Sequence, residues 1–217
     1  MAGGGAAASA LSSPWRALLQ RALDANAHLR HSTYFQLATV ATGGRPANRT
    51  VVFRGFQENC DKIQINTDAR SNKIGEIKSC PFGEICWYFT DTWEQFRISG
   101  SIDVIDGSNA DPSKLQHREK AWFSSSVRSR LQYLGPQPGI PVLDDEQVKG
   151  IHLDPSAGPV DAFCLLVIDP EKVRQAFFFL ILLFVDYLNL KSNQRLMFTR
   201  NQMDDGSNDW MAVKVSP

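Results

Sequence analysis

Residues 49–105 read RTVVFRGFQENCDKIQINTDARSNKIGEIKSCPFGEICWYFTDTWEQFRISGSIDVI. Ile63 and Ile65 alternate with Gln64 and Asn66, the period-two pattern of a strand with one buried face. β-Branched and aromatic residues fill Thr50–Phe56, Glu84–Phe89 and Glu94–Ile105, which are therefore also expected as strands. Asp91-Thr92 turns the last two into a hairpin. Asp68–Ser71 forms a polar turn, Asn72–Ser79 a short helix, and Pro81 and Gly83 end that helix.

Upstream, Tyr34–Val40 is a further strand, followed by a Gly43–Pro46 turn. Trp15, Leu18, Leu19, Ala22 and Leu23 lie on one face of a helix that Pro14 opens. Downstream, Lys114–Leu131 is helical, Leu134–Pro141 is a Pro/Gly-rich loop, and Asp144–Lys149 a short helix. Strands follow around Phe163–Ile168, Gln194–Thr199 and Asp209–Val215. Evenly spaced strands joined by short turns predict a mainly β protein with flanking helices (α+β), either an antiparallel barrel or a sandwich. The 217 residues suit one domain, 14–217, behind a flexible leader, 1–13. That leader is Ala/Gly/Ser-rich like the tip of an organelle transit peptide, but it has no arginine before Arg16.

The balance of 23 basic and 23 acidic residues lacks the basic surplus of a nucleic-acid-binding surface. Cys60, Cys80, Cys86 and Cys164 form no CxxC pair and have no histidine at metal-ligand spacing. They read as free thiols of an intracellular protein, in the cytoplasm or an organelle such as a plastid or mitochondrion; no metal is expected. Ala176–Val185, AFFFLILLFV, is far shorter than the roughly 20 apolar residues of a membrane span. A buried strand or core helix is expected there, and no membrane partner.

Arg49 and Arg54 bracket one strand, and a separation of five puts them on opposite faces unless a bulge intervenes. Asn66-Thr67 leads into Ser71-Asn72-Lys73, where a helix starts; hydroxyls, a lysine and free backbone N–H groups suit a phosphate. Gln95 and Arg97 share one strand face. Singly, a strand arginine is a solvated charge and Ser71 a helix cap. Jointly, these residues describe a phosphate-ligand site in a β-barrel.

The same stretch resembles the FMN-binding core of the pyridoxamine 5′-phosphate oxidase family, whose pattern runs R-x-V-L-L-K, F-x-T-N-x-x-S-R-K and R-Q-V-R-x-x-G. Trp122-Phe123 and the closing Asp209-Trp210…Val215-Ser216-Pro217 extend the likeness, nearest to a divergent plant and cyanobacterial branch. The resemblance implies a six-stranded antiparallel split barrel, a homodimer with FMN at its subunit interface, and a small phosphorylated substrate. It implies that Arg49 and Lys73 hold the FMN phosphate with Thr67, Ser71 and the neighbouring Asn66. Thr50, Val51, Val52 and Arg54 would line the flavin, and Gln95 would bond its polar edge. Asn72 stands where the family has arginine. No side-chain nucleophile or other catalytic residue is implied, because the cofactor carries the redox chemistry.

The substrate half departs from the pattern. Arg54 replaces a lysine, Trp122 a tyrosine, and Ser126 the substrate-phosphate arginine, for which Arg128 or Arg130 would compensate. Arg195 survives from R-L-H-D-R, but the histidine does not. The reaction implied is oxidation of pyridoxamine or pyridoxine 5′-phosphate by dioxygen. A flavin-dependent enzyme on another small molecule and a non-catalytic flavin-binding protein are the rivals on the same barrel. Family members also pass from a D-P-x-x-[VI] turn directly into an acidic-aromatic strand, as Val173 joined to Asp186-Tyr187-Leu188 would. Against that pattern Arg174–Val185 looks inserted, and the hypothesis is an origin in alternative splicing or a gene-model error.

Overall fold

The computed structural model describes residues 13–141, 152–170, 184–202 and 208–217. Helix α1 (Pro14–Ala25) precedes strands β1 (Tyr34–Val40), β2 (Pro46–Phe56) and β3 (Ile63–Asp68). Next come α2 (Asn72–Ser79), β4 (Phe82–Phe89), β5 (Glu94–Ile105), α3 (Pro112–Phe123) and α4 (Val127–Leu131). Strands β6 (Phe163–Asp169), β7 (Phe184–Asn189), β8 (Gln194–Gln202) and β9 (Asn208–Val215) follow.

All pairings among these strands are antiparallel. The order β4-β1-β2-β3-β6-β5 returns to β4 through a β4–β5 pairing, closing a six-stranded barrel. Of the two architectures open to the strand pattern, the barrel is the one adopted. Strand β5 is long enough to serve two neighbours along one edge. Its residues Ser101–Ile105 pair with β6 and close the barrel, while Glu94–Ile98 pair with β7, from which β8 and β9 extend as a sheet. At this branch Gly100 is obligatory by space: an added Cβ would sit 2.7 Å from the Asp169 carbonyl oxygen.

The barrel interior is apolar and aromatic, with Phe35, Leu37, Ile65, Ile85, Trp87, Phe96 and Ile98 among its fully buried residues. Helix α1 packs into the same core through Trp15, Leu19 and Ala22, with Trp15 edge-on to Phe56 and Trp210. A second cluster of Trp122, Tyr133, Leu153 and Phe163 packs α3 and the chain after α4 onto the outer face of β6. Strand β6 is thus buried along its whole length.

Several boundaries differ from the sequence reading. Strand β2 starts at Pro46 rather than Thr50, because β1 pairs with it as far as Val40↔Pro46. Ser124–Ser126 break the expected long helix into α3 and α4, with Ser126 accepting a bond from the Ser129 amide as the cap of α4. Ser13, assigned to the leader, is buried and its amide donates to Asp61. The helix expected at Asp144–Lys149 and most of the apolar run lie outside the described residues; Val185 is a buried β7 residue. No helix among the described residues is long and apolar enough to cross a membrane.

Candidate functional site

Alternation along β2 decides which side chains meet. Arg49 lies opposite Leu37 and Val51 opposite Phe35, on the barrel side, so Thr50 and Val52 face outward. Arg49 lies within reach of α2. Its guanidinium donates to the Leu37 carbonyl (3.3 Å), to Thr39 Oγ1 (2.5 Å) and to Glu76 Oε2 (2.5 Å). The Thr39 hydroxyl also donates to Glu76. Against a burial cost that pushes it up, hydrogen bonds from Thr39 and Arg49 hold the Glu76 carboxyl below the usual carboxylate range.

Beside this network, Lys73 Nζ donates to Thr67 Oγ1 (2.9 Å) and Ser71 Oγ (3.0 Å). The Ser71 hydroxyl in turn donates to the Asp68 carbonyl, and it does not cap α2. Burial, and next the neighbouring Arg49 charge, push the Lys73 ammonium below its ordinary pKa. A half-buried lysine destabilised by an adjacent guanidinium, with hydroxyls already turned to it, fits an incoming dianion that neutralises both cations.

Thr67, Ser71 and Lys73 line a cavity of about 280 Å³ together with Thr50, Val51, Val52, Arg54 and Asn66. Tyr133, whose phenol burial pushes up to about 12, closes it with Gln132 and Pro138. Arg49 contributes charge from behind this wall. A larger cavity of about 510 Å³ adjoins it, sharing Arg54 and Asn66. Arg49 points to the barrel side while Arg54 lines the cavity with Thr50 and Val52, so the two sit on opposite faces of β2, whose bulge falls between Phe53 and Phe56.

Other candidates lie elsewhere. Asn72 is exposed at the start of α2 and lines neither cavity. Gln95 faces out of the barrel in one cross-strand row with Leu188 and Arg195. Arg195 is engaged bidentately by Asp186, at 3.0 and 2.9 Å. Trp122 is fully buried, donating from its indole to the Ala157 carbonyl. Arg130 is buried over the Trp122 ring and donates to the Pro155 carbonyl. Arg128 lines neither cavity. All four cysteines are free thiols, and burial pushes Cys164 up to about 12.

The sequence reading missed Thr39 and Glu76. Thr39 breaks the inward apolar series Phe35, Leu37, and Glu76 stands one helical turn after Lys73; both were legible signals. It also missed Lys120, His117 and Gln64 around the larger cavity, which come together only when α3 packs on β6, the strand next to β3.

The model of the pyridoxamine 5′-phosphate oxidase FMN-binding domain matches residues 12–106, from α1 to the end of β5. The chain is 57% identical over 204 residues to pyridoxine/pyridoxamine 5′-phosphate oxidase 2 of Arabidopsis thaliana, covering 94% of this chain and 97% of that protein. A pyridoxamine 5′-phosphate oxidase-related, FMN-binding protein of Nostoc punctiforme superposes with a TM-score of 0.83 at 36% identity, over 95% and 99% of the two chains. PhzG of Burkholderia lata, solved with tetrahydrophenazine-1-carboxylic acid, shares the fold at a TM-score of 0.70 and 20% identity, over 96% and 95%. The chain belongs to the pyridoxamine 5′-phosphate oxidase family of FMN-dependent oxidoreductases.

Proposed function

We propose that this protein oxidises pyridoxamine or pyridoxine 5′-phosphate to pyridoxal 5′-phosphate with dioxygen as acceptor. The observation that carries the reading is the trio Thr67, Ser71 and Lys73 lining a cavity walled by β2, with the Arg49 charge close behind Lys73. Arg49 and Lys73 hold the FMN phosphate by charge, and the two hydroxyls orient Lys73 towards it. Glu76 and Thr39 keep the Arg49 guanidinium from rotating away. Thr50, Val51 and Val52 line the ring system, leaving Arg54 and Asn66 where the flavin cavity opens into the larger one. Bound FMN supplies the hydride acceptor, so no protein nucleophile is needed.

The proposal includes a homodimer. Gln95 and Arg195 line neither cavity of their own chain, yet they share one outward row. A second copy laid on this face supplies them to a flavin. The salt bridge to Asp186 fixes the Arg195 fork for that encounter.

One observation favours a second reading, a flavin enzyme acting on another small molecule: Trp122 and Arg130 are spent on core contacts. The discriminating experiment is anaerobic addition of pyridoxine 5′-phosphate to the yellow protein. Bleaching of the flavin band supports the oxidase; a yellow protein that stays yellow favours the second reading. A colourless protein that ignores added FMN overturns both.

A further inference from the structure

We propose that Arg70 is a positioning residue for the FMN phosphate: it cancels the charge of Asp68, a carboxylate residue lining the phosphate cavity, and so lets that cavity accept a dianion. This rests on the placing of the phosphate among Thr67, Ser71 and Lys73, and on nothing about the substrate. Three observations carry it.

First, the cavity holds an acid where an anion is to enter. Asp68 closes β3, is buried, and lines the 280 Å³ cavity with Thr67, Ser71 and Lys73. Its charge reaches two other groups of the same cavity. The Lys73 ammonium, lowered chiefly by burial, is pushed back up by Asp68, and the Tyr133 phenol, raised chiefly by burial, is pushed further up. Left alone, a carboxylate at this place repels an incoming phosphate dianion. The turn has also lost a cation. Laid on Thr67, Ser71 and Lys73, the family pattern T-N-x-x-S-R-K has a neutral asparagine where Asp68 stands and an arginine where Asn72 stands. Arg70 occupies one of its unspecified positions and returns a positive charge.

Second, Arg70 grips Asp68 by both carboxylate oxygens. Its Nε donates to Oδ1 at 3.0 Å and its Nη2 to Oδ2 at 2.7 Å, while the Arg70 amide adds a bond to Oδ1 at 2.8 Å. Paired forks of this kind are the strong form of a guanidinium–carboxylate contact. The bonds to Asp68 raise the Arg70 guanidinium above its ordinary pKa. The Asp68 side chain is 10% exposed and that of Arg70 33%, so the acid is shielded from water and its partner is the group that screens it.

Third, Arg70 is held outside the cavity it serves. It is not among the residues lining that cavity. Its Nη1 donates to the Gly135 carbonyl at 3.1 Å, and its own carbonyl accepts from Gln137 Nε2 at 3.3 Å. These bonds tie the segment leading to Pro138, which closes the cavity, to the turn that carries the phosphate ligands. They also keep the guanidinium from swinging inward, so Arg70 acts on the phosphate through Asp68.

The test compares the affinity of the FMN-free protein for FMN and for riboflavin, which has the same ring system and no phosphate, by titration of flavin fluorescence. Arg70→Ala is expected to weaken FMN by about tenfold, the scale of one like charge nearby at the surface of a protein, and to leave riboflavin unchanged. Asp68→Asn is expected to tighten FMN, and adding it to Arg70→Ala to restore the affinity of the parent. A merely structural ion pair moves both single variants the same way and both flavins together. That result overturns the proposal, as does a double variant no better than Arg70→Ala. Where Arg70→Ala fails to fold, Asp68→Asn decides alone: tighter FMN binding supports the proposal, and unchanged or weaker binding overturns it. Lys73→Met separates this inference from the phosphate site beneath it. Selective loss of FMN in Lys73→Met with none in Arg70→Ala removes Arg70 and keeps the site. If Lys73→Met spares FMN, the phosphate lies elsewhere and both fall.

Discussion

At the residue scale, Lys73 sets a pH signature. Its folded-state pKa lies below the ordinary 10.5, lowered by burial and by Arg49, so the empty site sheds this proton earlier than a free lysine does. A bound phosphate dianion favours the charged ammonium and raises the pKa again. FMN affinity is therefore expected to fall as pH climbs through the empty-site pKa towards 10.5, and Lys73→Met should flatten that portion of the profile. Titrating flavin fluorescence against pH for both proteins checks it, and parallel profiles would remove Lys73 from the phosphate site. Without ligand the sign reverses: the unfolded chain holds this proton more tightly, so unliganded stability rises with pH over the same window. Arg49→Ala is expected to release FMN during gel filtration, and full retention would contradict its assignment. Arg49 and Lys73 stood out in the sequence as phosphate candidates because few residue types suit a phosphate. Lys120 did not, since a lysine on an exposed helix face carries no mark of the cavity it borders.

At the element scale, strands with strict alternation announced themselves, and so did α1 and α2, whose apolar residues repeat at helical spacing. What alternation cannot convey is the partner of each strand. Nothing in Phe163–Asp169 says that β6 joins β3 to β5, or that α3 and the chain after α4 cover its outer face. Two predictions belong here. Trp15 contributes a fully buried indole from α1 to the barrel core, and Trp15→Ala is expected to cost about 3–5 kcal/mol in a denaturant titration. Gly100 touches the β6 backbone where β5 changes partner, so Gly100→Ala must push the strands apart. A cost of about 1–3 kcal/mol is expected, whereas Gly75→Ala, in α2 with open space around its position, should be neutral or stabilising. Equal effects of the two substitutions would show that the close approach at Gly100 does not constrain the barrel.

At the scale of the whole molecule, the strand pattern left barrel and sandwich open, and only the family resemblance of residues 49–105 implied the six-stranded barrel. The outward face carrying Gln95, Asp186 and Arg195, proposed above as the contact with a second copy, looks in sequence like any solvated one. Sedimentation of the FMN-bound protein should give a mass near twice the 24.2 kDa of one chain; a persistent monomer that retains FMN would argue against the shared site. The branching of β5 also has a consequence for chain length. Asp169 faces Ser101 and Val185 faces Ile98, so only Gly100 and Ser99 separate the last partner of β6 from the buried start of β7. The chain spends residues 170–184 on that step. Excising Arg174–Val185 leaves Pro170, Glu171, Lys172 and Val173 to pass Gly100, Ser99 and Ile98, one residue more than the places available. That surplus is what a single β-bulge absorbs. The shortened chain is expected to splice β6 onto β7 as nearly one continuous strand, with higher soluble yield and FMN occupancy than the parent, and loss of folding would refute it.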